Sequence, residues 1–197
     1  MQGLWARMFR GLVNLTTVTI PTSNAIATLG VSCFENCPNL SLDVSGKFDN
    51  VITVYGSVFR NSSGIIGDLY LPSLQTLIGE YIIQGTSIGS ISSLGGISTI
   101  PASAFFSNSL TLINIPATVQ SIVEDAFYGA TSATIVVFAT TPPSAGNTIF
   151  GTVSAQKIYV PYSADHSILA VYEAASGWSY YSGKFYELNP DGTVPTT

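Results

Sequence analysis

Few residues of the chain have side chains suited to acid–base or nucleophilic chemistry. The single histidine, His166, stands between Asp165 and Ser167, which are the residue types of a Ser–His–Asp relay. The segment is predicted to be helical, and adjacent residues on a helix point in different directions, so the three side chains cannot converge. We interpret His166 as a solvated helix residue and expect no catalytic triad.

Two other pairs of residues have reactive or metal-binding side chains but lack the arrangement that catalysis or metal binding requires. Glu124 and Asp125 are adjacent just before a predicted turn. Side chains of neighbouring residues in a turn rarely converge as the two carboxylates of a glycosidase must. Weak calcium binding by this pair is a minor alternative to a purely structural role. Cys33 and Cys37 are the only cysteines, fewer than the four ligands of a structural zinc site. We interpret them as small buried residues, with a disulfide left open, and predict no catalytic residue, metal or cofactor.

The charge and hydropathy of the chain argue against two classes of partner, nucleic acids and the membrane interior. The formal net charge is −5, and the six basic residues are scattered along the chain. Nucleic-acid binding needs a basic stripe that neutralises phosphates, so we expect no nucleic-acid partner. No run of 18 apolar residues is present, so we expect no membrane insertion.

Charged residues make up only 9% of the chain, and this hydroxyl-rich composition is typical of secreted or virion β proteins.

The elements that would position any site repeat along the chain. An aromatic or aliphatic anchor precedes a predicted corner at successive spacings of 25, 25, 24, 22, 22 and 23 residues. These anchors are Phe9, Phe34, Phe59, Ile83, Phe105, Phe127 and Phe150. A unit of this length cannot bury its apolar side alone, whereas stacked units can, so the pattern predicts a solenoid. The glycine- and serine-rich unit Leu71 to Leu94 is the least regular, and we expect a kink there.

A short strand in each unit alternates apolar and polar residues. The apolar pairs predicted to point inward are Val18/Ile20, Leu42/Val44, Leu69/Leu71, Ile113/Ile115, Ile135/Val137 and Ile158/Val160. The residues between them form a predicted outward row of Thr19, Asp43, Tyr70, Asn114, Val136 and Tyr159, and a second row of Thr17, Ser41, Asp68, Leu112, Thr134 and Lys157. From these rows we predict a binding surface made by Thr19, Asp43, Asp68, Tyr70, Asn114 and Tyr159. The alternative interpretation is a plain solvated sheet face.

The pattern changes after Val160 and Pro161. Tyr162 to Gly177 is predicted to be a helix with Ser163 as its cap and Asp165 in its first turn, which packs Ile168, Val171, Tyr172 and Ala175 on one face. The aromatic residues that follow are predicted to close the stack. The domain organisation is therefore a solenoid over residues 1–161 with six to seven units and an incomplete first one, a cap over 162–188 and a tail over 189–197.

The repeat resembles the BspA-like leucine-rich repeat family. The best matches are Leu110 to Ala130, which contains a strand, a proline and Ala-Phe-Tyr-Gly, and Leu15 to Cys37. The resemblance implies a mainly β leucine-rich-repeat solenoid of 22–25-residue units, right-handed, with a C-terminal helical and aromatic cap. It further implies a surface protein that binds host matrix proteins, other cells or glycans, and related repeats occur in phage tail fibres.

The leading functional expectation is a non-enzymatic module that binds a protein or glycan at a cell surface. The alternatives are a phage virion component, such as a tail-fibre or receptor-binding module, and a structural spacer. No signal peptide is recognised at the N-terminus, so a virion location is expected for a complete gene product and a cell-surface location for a fragment of an exported protein. Trp5 and Leu4 are expected on an open solenoid end that further repeats, another domain or another chain covers.

Overall fold

The computed structural model describes residues 2–21, 25–107, 109–154 and 156–196. Residues 1 and 197, at the outer bounds of the predicted solenoid and tail, lie outside them. In chain order the elements are β1 (Gln2–Leu4), β2 (Ile26–Leu29), β3 (Leu42–Asp43), β4 (Thr53–Tyr55), β5 (Ile65–Tyr70), β6 (Thr76–Ile78), β7 (Ser87–Ser93), β8 (Thr99–Ile100), β9 (Leu112–Ile115), β10 (Ser121–Ile122), β11 (Thr134–Val137), β12 (Ser144–Ala145), β13 (Lys157–Val160), α1 (Ser167–Ala174), a 3-10 helix (Ser179–Tyr181) and β14 (Phe185–Glu187).

The chain coils between two sides of a solenoid. One side is a main sheet in the order β14-β13-β11-β9-β7-β5-β3, and the other side consists of two short sheets, β1-β2-β4-β6 and β12-β10-β8. Strands pair in parallel with the equivalent strand one coil later, as β9 does with β11. With the Thr17–Ser41 bridge, the main sheet marks about eight turns of about 23 residues, so the predicted mainly β solenoid is confirmed.

Each corner is built by one conformational device. The residue two positions before the anchor adopts a left-handed backbone conformation in six coils, for example Ser32 (φ 56°) before Phe34 and Asp125 (φ 57°) before Phe127. This turns the chain and sends the anchor inward, where the rings stack with centroids 5.9 Å apart for Phe34 and Phe59 and 5.8 Å apart for Phe127 and Phe150. The 22–25-residue spacing of the aromatic residues therefore records a continuous internal stack.

The irregular unit disturbs the sheets but not the core. The β5–β7 pairing shifts register on both sides of Asp68, and the short sheets are interrupted between β6 and β8. The extra residue of the first shift is Gly89 on β7, which lies between the partners of Gly67 and Asp68. Gly67 itself has φ 103°, a conformation that favours glycine. Ile83, which takes the aromatic position in this unit, is fully buried. The predicted kink is therefore a local change of register around an unbroken core.

The C-terminal segment closes the stack with a shorter helix than predicted. The helix begins at Ser167, because His166 has a left-handed conformation (φ 57°) that interrupts helical geometry before it. The prediction that Asp165 lies in the first turn is wrong, although its carboxylate accepts a hydrogen bond from Ser167 N at 3.1 Å. Ser163 Oγ accepts one from Ile168 N at 3.2 Å without being the capping residue.

The packed face of the helix also differs from the prediction. Tyr172 is buried, and Ile168, Leu169 and Ala175 pack against the core, whereas Val171 is 50% exposed. The segment then adds β14 to the main sheet, so it contributes the last strand as well as the cap. In the described part of the chain, no helix has the length and apolar character needed to cross a bilayer.

Candidate functional site

The main sheet separates core residues from surface residues largely as its alternation predicts. Eleven of the twelve side chains predicted to point inward are at most 5% exposed, and Val18 is half-buried. The outward face of this sheet is therefore the candidate site, and its geometry decides which of the predicted residues can act together.

At the C-terminal end of the face, the predicted row is in register but covered. Val136 pairs with Asn114 on one side and with Tyr159 on the other, as predicted. However, Val136 and Tyr159 are each only 4% exposed, because Leu188 packs onto both of them. The Tyr186 ring adds to this cover at 5.5 Å from the Tyr159 ring. The expectation that Tyr159 is exposed on the outward face is therefore wrong, and its role in binding stays a prediction.

At the N-terminal end of the face, the row is exposed but out of register. Asp43 pairs with Ile66 rather than with Tyr70, because β3 aligns with the first two residues of β5 and not with its last ones. The prediction that Asp43 and Tyr70 are ladder neighbours is therefore wrong. Thr19, Asp43 and Tyr70 are nevertheless exposed, Tyr70 by 40%.

The second predicted row is likewise in register at its C-terminal end and interrupted near β5 and β7. Leu112, Thr134 and Lys157 follow one another in register, and Thr17 bridges to Ser41. Asp68 reaches Leu112 only through Ser90, which the sequence did not place in the row.

Asp68 and Asn114 are committed to contacts within the sheet. The Asp68 carboxylate accepts hydrogen bonds from Ser90 Oγ at 2.7 Å, from Ser92 N at 3.1 Å and from Ser92 Oγ. Asn114 donates its side-chain amide to Ser92 O at 3.1 Å. These contacts tie β5, β7 and β9 together across the register shift. We conclude that the two residues hold the bulged region in shape and leave few free hydrogen-bonding groups for a ligand.

Asp43 keeps its charge at the surface. Its Oδ1 accepts a hydrogen bond from Ser45 N at 2.9 Å. The hydrogen bonds from Ser45 and the nearby Lys47 charge lower the pKa of the Asp43 carboxyl. A ligand on this face therefore meets an ionised carboxylate beside Ile66, which is 45% exposed and which the sequence analysis missed because it aligned Asp43 with Tyr70 instead.

The single histidine is paired with a carboxylate from the last strand. His166 Nδ1 lies 2.6 Å from Glu187 Oε2, a carboxylate on β14, and its side chain is 71% exposed. It stands at the start of the helix rather than within it, which corrects its interpretation as a helix residue. Within the described residues, no group of three or more His, Cys, Asp or Glu side chains is placed to hold a metal ion.

Both cysteines are free and fully buried, as the interpretation of small buried residues predicts. Burial raises the pKa of the Cys33 thiol to about 12 and also raises that of Cys37. Cys37 Sγ donates to Phe9 O at 2.9 Å, and one coil later Ser62 Oγ donates to Phe34 O at 2.6 Å. Cys37 therefore has the role of a hydroxyl side chain that ties adjacent coils together.

A charged ladder along one corner was not predicted. Glu35, which is only 7% exposed, lies 2.8 Å from Arg10 and 4.0 Å from Arg60. Arg60 also lies 5.0 Å from the centroid of the Tyr81 ring. Arg10, Glu35 and Arg60 each follow the anchor of their own coil directly, so aligning the repeats on their anchors would have revealed the ladder.

The first coil carries exposed apolar side chains, and the expectation that another segment or chain covers them stays a prediction. Trp5 is 67% exposed and Leu4 is half-buried. Further exposed apolar side chains on the first coil are Met8, Leu12 and Val13.

Comparison with known proteins identifies the repeat. A family model described as a BspA type leucine rich repeat region matches the chain in six copies, over residues 3–108 and 98–173. No curated protein matches the chain significantly.

Proposed function

The chain belongs to the BspA-type leucine-rich repeat family, and we propose on that basis that it is a non-enzymatic recognition module. Its ligand is a protein or glycan at a cell surface, which places the module outside the cytoplasm. The repeat suggests an interaction module in general, and the choice of binding face rests on the exposed N-terminal half of the main sheet.

The observation that carries the proposal is the exposure of Tyr70 and Ile66 on the hydroxyl-rich face of the main sheet. The two side chains are 40% and 45% exposed, and Asp43 stands beside Ile66 in the paired strand. Large apolar side chains surrounded by polar groups are typical of macromolecular interfaces, in which tyrosine is enriched at the energetic centre. Small ligands instead bind in concave pockets that surround them.

The chain offers a matched control for this face. Tyr55 is 38% exposed, nearly the same as Tyr70, but lies on β4 in the short sheet on the opposite side. Removal of either ring leaves the buried core unchanged, so loss of binding by one variant alone identifies the binding side of the solenoid.

The test measures binding of the labelled full chain to host cells, to bacterial cells and to protein and glycan arrays. Tyr70→Ala is expected to weaken binding by at least about tenfold, since a central tyrosine typically contributes more than 1 kcal/mol. Tyr55→Ala is expected to leave binding unchanged. Equal binding by wild type and Tyr70→Ala, with both variants folded, would refute the proposed face.

The same experiment separates the alternative functions. A phage receptor-binding component predicts binding to bacterial cells alone, and a structural spacer predicts no binding to cells or arrays. A substrate hydrolysed by the chain, with activity abolished by Glu124→Ala, would contradict the proposal that it is not an enzyme.

A further inference from the structure

The six corners that hold the anchors from Phe9 to Phe127 form one outer edge of the solenoid, which we call the corner face. In each coil it comprises the residues from three before to one after the anchor. The residues two before the anchors stand in one column, because the backbone N–H of each donates to the next coil from Arg7 to Ser103. Adjacent coils lie about 4.8 Å apart, so the first and sixth members of this column, Arg7 and Asp125, are about 24 Å apart.

Opposite charges occupy the two halves of the corner face. The first three coils carry a net positive charge, from three arginines and one glutamate: Arg7, Arg10, Arg60 and Glu35. The next three coils carry acidic residues alone: Glu80, Glu124 and Asp125. Arg7 is exposed and Asp125 is half-buried, and within the described residues neither of them takes part in an ion pair. The corner face therefore has a basic half and an acidic half with charges left unpaired.

Aromatic side chains accompany the carboxylates of the acidic half. Phe106 and Tyr128, each one residue after its anchor, stack with ring centroids 5.0 Å apart, and the Tyr81 ring lies 6.3 Å from that of Phe106. Tyr128 is 37% exposed. Aromatic residues and arginine are enriched in protein interfaces, and an arginine can stack on a ring as well as pair with a carboxylate. The basic half thus carries groups that complement both kinds of side chain in the acidic half.

We propose that the corner face is the contact surface of a dimer of this chain in which the two solenoid axes are antiparallel. A twofold axis between the third and fourth coils places each coil opposite one from the other half, so that the first coil faces the sixth. Arg7 then meets Asp125, because the two residues hold the same left-handed corner position in their coils. Arg10 and Tyr128, each one residue after its anchor, likewise face each other, which places a guanidinium group on a tyrosine ring.

The inner coils also fit each other in this arrangement. Glu35 of the second coil faces Phe106 of the fifth. The Glu35 carboxylate lies 2.8 Å from Arg10 Nε and 4.0 Å from Arg60 Nη1, so the ring covers no unpaired charge. The third coil faces the fourth, where Arg60 already lies 5.0 Å from the centroid of the Tyr81 ring of its own chain.

Charge selects the antiparallel arrangement. With parallel axes, each coil would face its own copy, so Arg7 would meet Arg7 and Asp125 would meet Asp125, and like charges in contact oppose association. A single edge of six coils buries less area than a stable dimer requires, so the dimer is weak and its affinity depends on these charges. The corner face contains no strand of the main sheet, so dimerisation leaves the proposed ligand face free.

The test exchanges the two charges of the outer contact. Arg7→Asp and Asp125→Arg each place like charges opposite each other, twice in a symmetric dimer. The exchange suits the fold, because arginine and aspartate already occupy this corner position, with φ 60° at Arg7 and 57° at Asp125. The control is Lys157→Glu on the main sheet, which changes the net charge as Arg7→Asp does. Sedimentation velocity at low salt follows the oligomeric state of the full chain up to about 1 mM, and thermal melting checks that each variant is folded.

The wild-type chain and Lys157→Glu are expected to dimerise with the same dissociation constant, and each single exchange is expected to raise it at least about tenfold. An equimolar mixture of Arg7→Asp and Asp125→Arg is expected to restore association, because the heterodimer pairs an aspartate with an arginine at both contacts. The variant that carries both exchanges should associate for the same reason. A wild-type chain that stays monomeric, single variants that dimerise as the wild type does, or a mixture that stays monomeric would each overturn the proposal.

Discussion

At the C-terminal end of the solenoid, side chains make the contacts of a further coil, whereas the first coil carries an exposed tryptophan, Trp5. Tyr181 Oη accepts a hydrogen bond from Phe150 N at 2.9 Å and donates one to Gly151 O at 3.1 Å. Trp178 Nε1 donates to Pro143 O at 2.7 Å, and Tyr172 Oη donates to Ala139 O at 2.8 Å. Three buried aromatic residues thus close one end.

The difference shows that the repeated sequence pattern alone does not determine how the ends of the stack are closed. Buried backbone groups need partners, so a stack can end only where side chains, solvent or another polypeptide provide them. The C-terminal aromatic residues combine a large apolar area with one polar group each, which allows them to fill the cross-section and bond its carbonyls. The first coil has an exposed tryptophan instead, and its stability depends on the coil behind it.

The largest expected difference in the free energy of unfolding is between variants of the two tryptophans. Trp178→Ala removes a fully buried ring and is expected to lower the free energy of unfolding by about 3–5 kcal/mol. Trp5→Ala, at 67% exposure, is expected to change it by less than about 0.5 kcal/mol. Urea denaturation of both variants measures the difference. Similar losses would show that the two ends are not distinct in packing.

A smaller effect isolates the hydrogen bonds of the cap. Tyr181→Phe keeps the buried ring but leaves Phe150 N and Gly151 O without their partner, and we expect a loss of about 1–3 kcal/mol. Tyr180→Phe is the control, because Tyr180 is 46% exposed and its hydroxyl is not part of the cap. Equal stabilities of the two variants by the same denaturation method would show that the hydroxyl does not replace a coil.

The smallest effect concerns the attachment of the first coil. Cys37→Ala removes the Sγ hydrogen bond to Phe9 O and is expected to cost about 1 kcal/mol. Hydrogen exchange of the Arg7, Phe9 and Gly11 amides should accelerate, because these groups join the first coil to the second. Cys37→Ser should retain slow exchange, as Ser62 makes the same contact one coil later. Fast exchange in both variants would contradict this role.

Much of the fold could be predicted because each coil repeats the same local requirement. The anchors from Phe9 to Phe150 keep a narrow spacing since every coil must place a side chain in the same internal stack. The alternation of Ile113 and Ile115 likewise indicates which strand face is buried. The helix start was missed because the left-handed conformation of His166 leaves no signal in an otherwise helical composition.

The candidate site could be predicted only where neighbouring strands pair without an irregularity. Asn114, Val136 and Tyr159 were correctly placed in one row because their strands pair without a bulge. Asp43 and Tyr70 were misaligned because β5 is longer than β3, and the alternation of apolar residues does not specify which part of β5 pairs with it.

The sequence by itself determined the solenoid, its repeat length and its inward residues, since these follow from periodic burial along the chain. Only the tertiary structure decided which outward residues remain available. Leu188 returns over Tyr159, and Ser90 and Ser92 engage the Asp68 carboxylate. These contacts join residues more than 20 positions apart, and no short-range pattern specifies them. The exposed surface around Tyr70 is therefore a product of packing, whereas the core beneath it is already specified by the sequence.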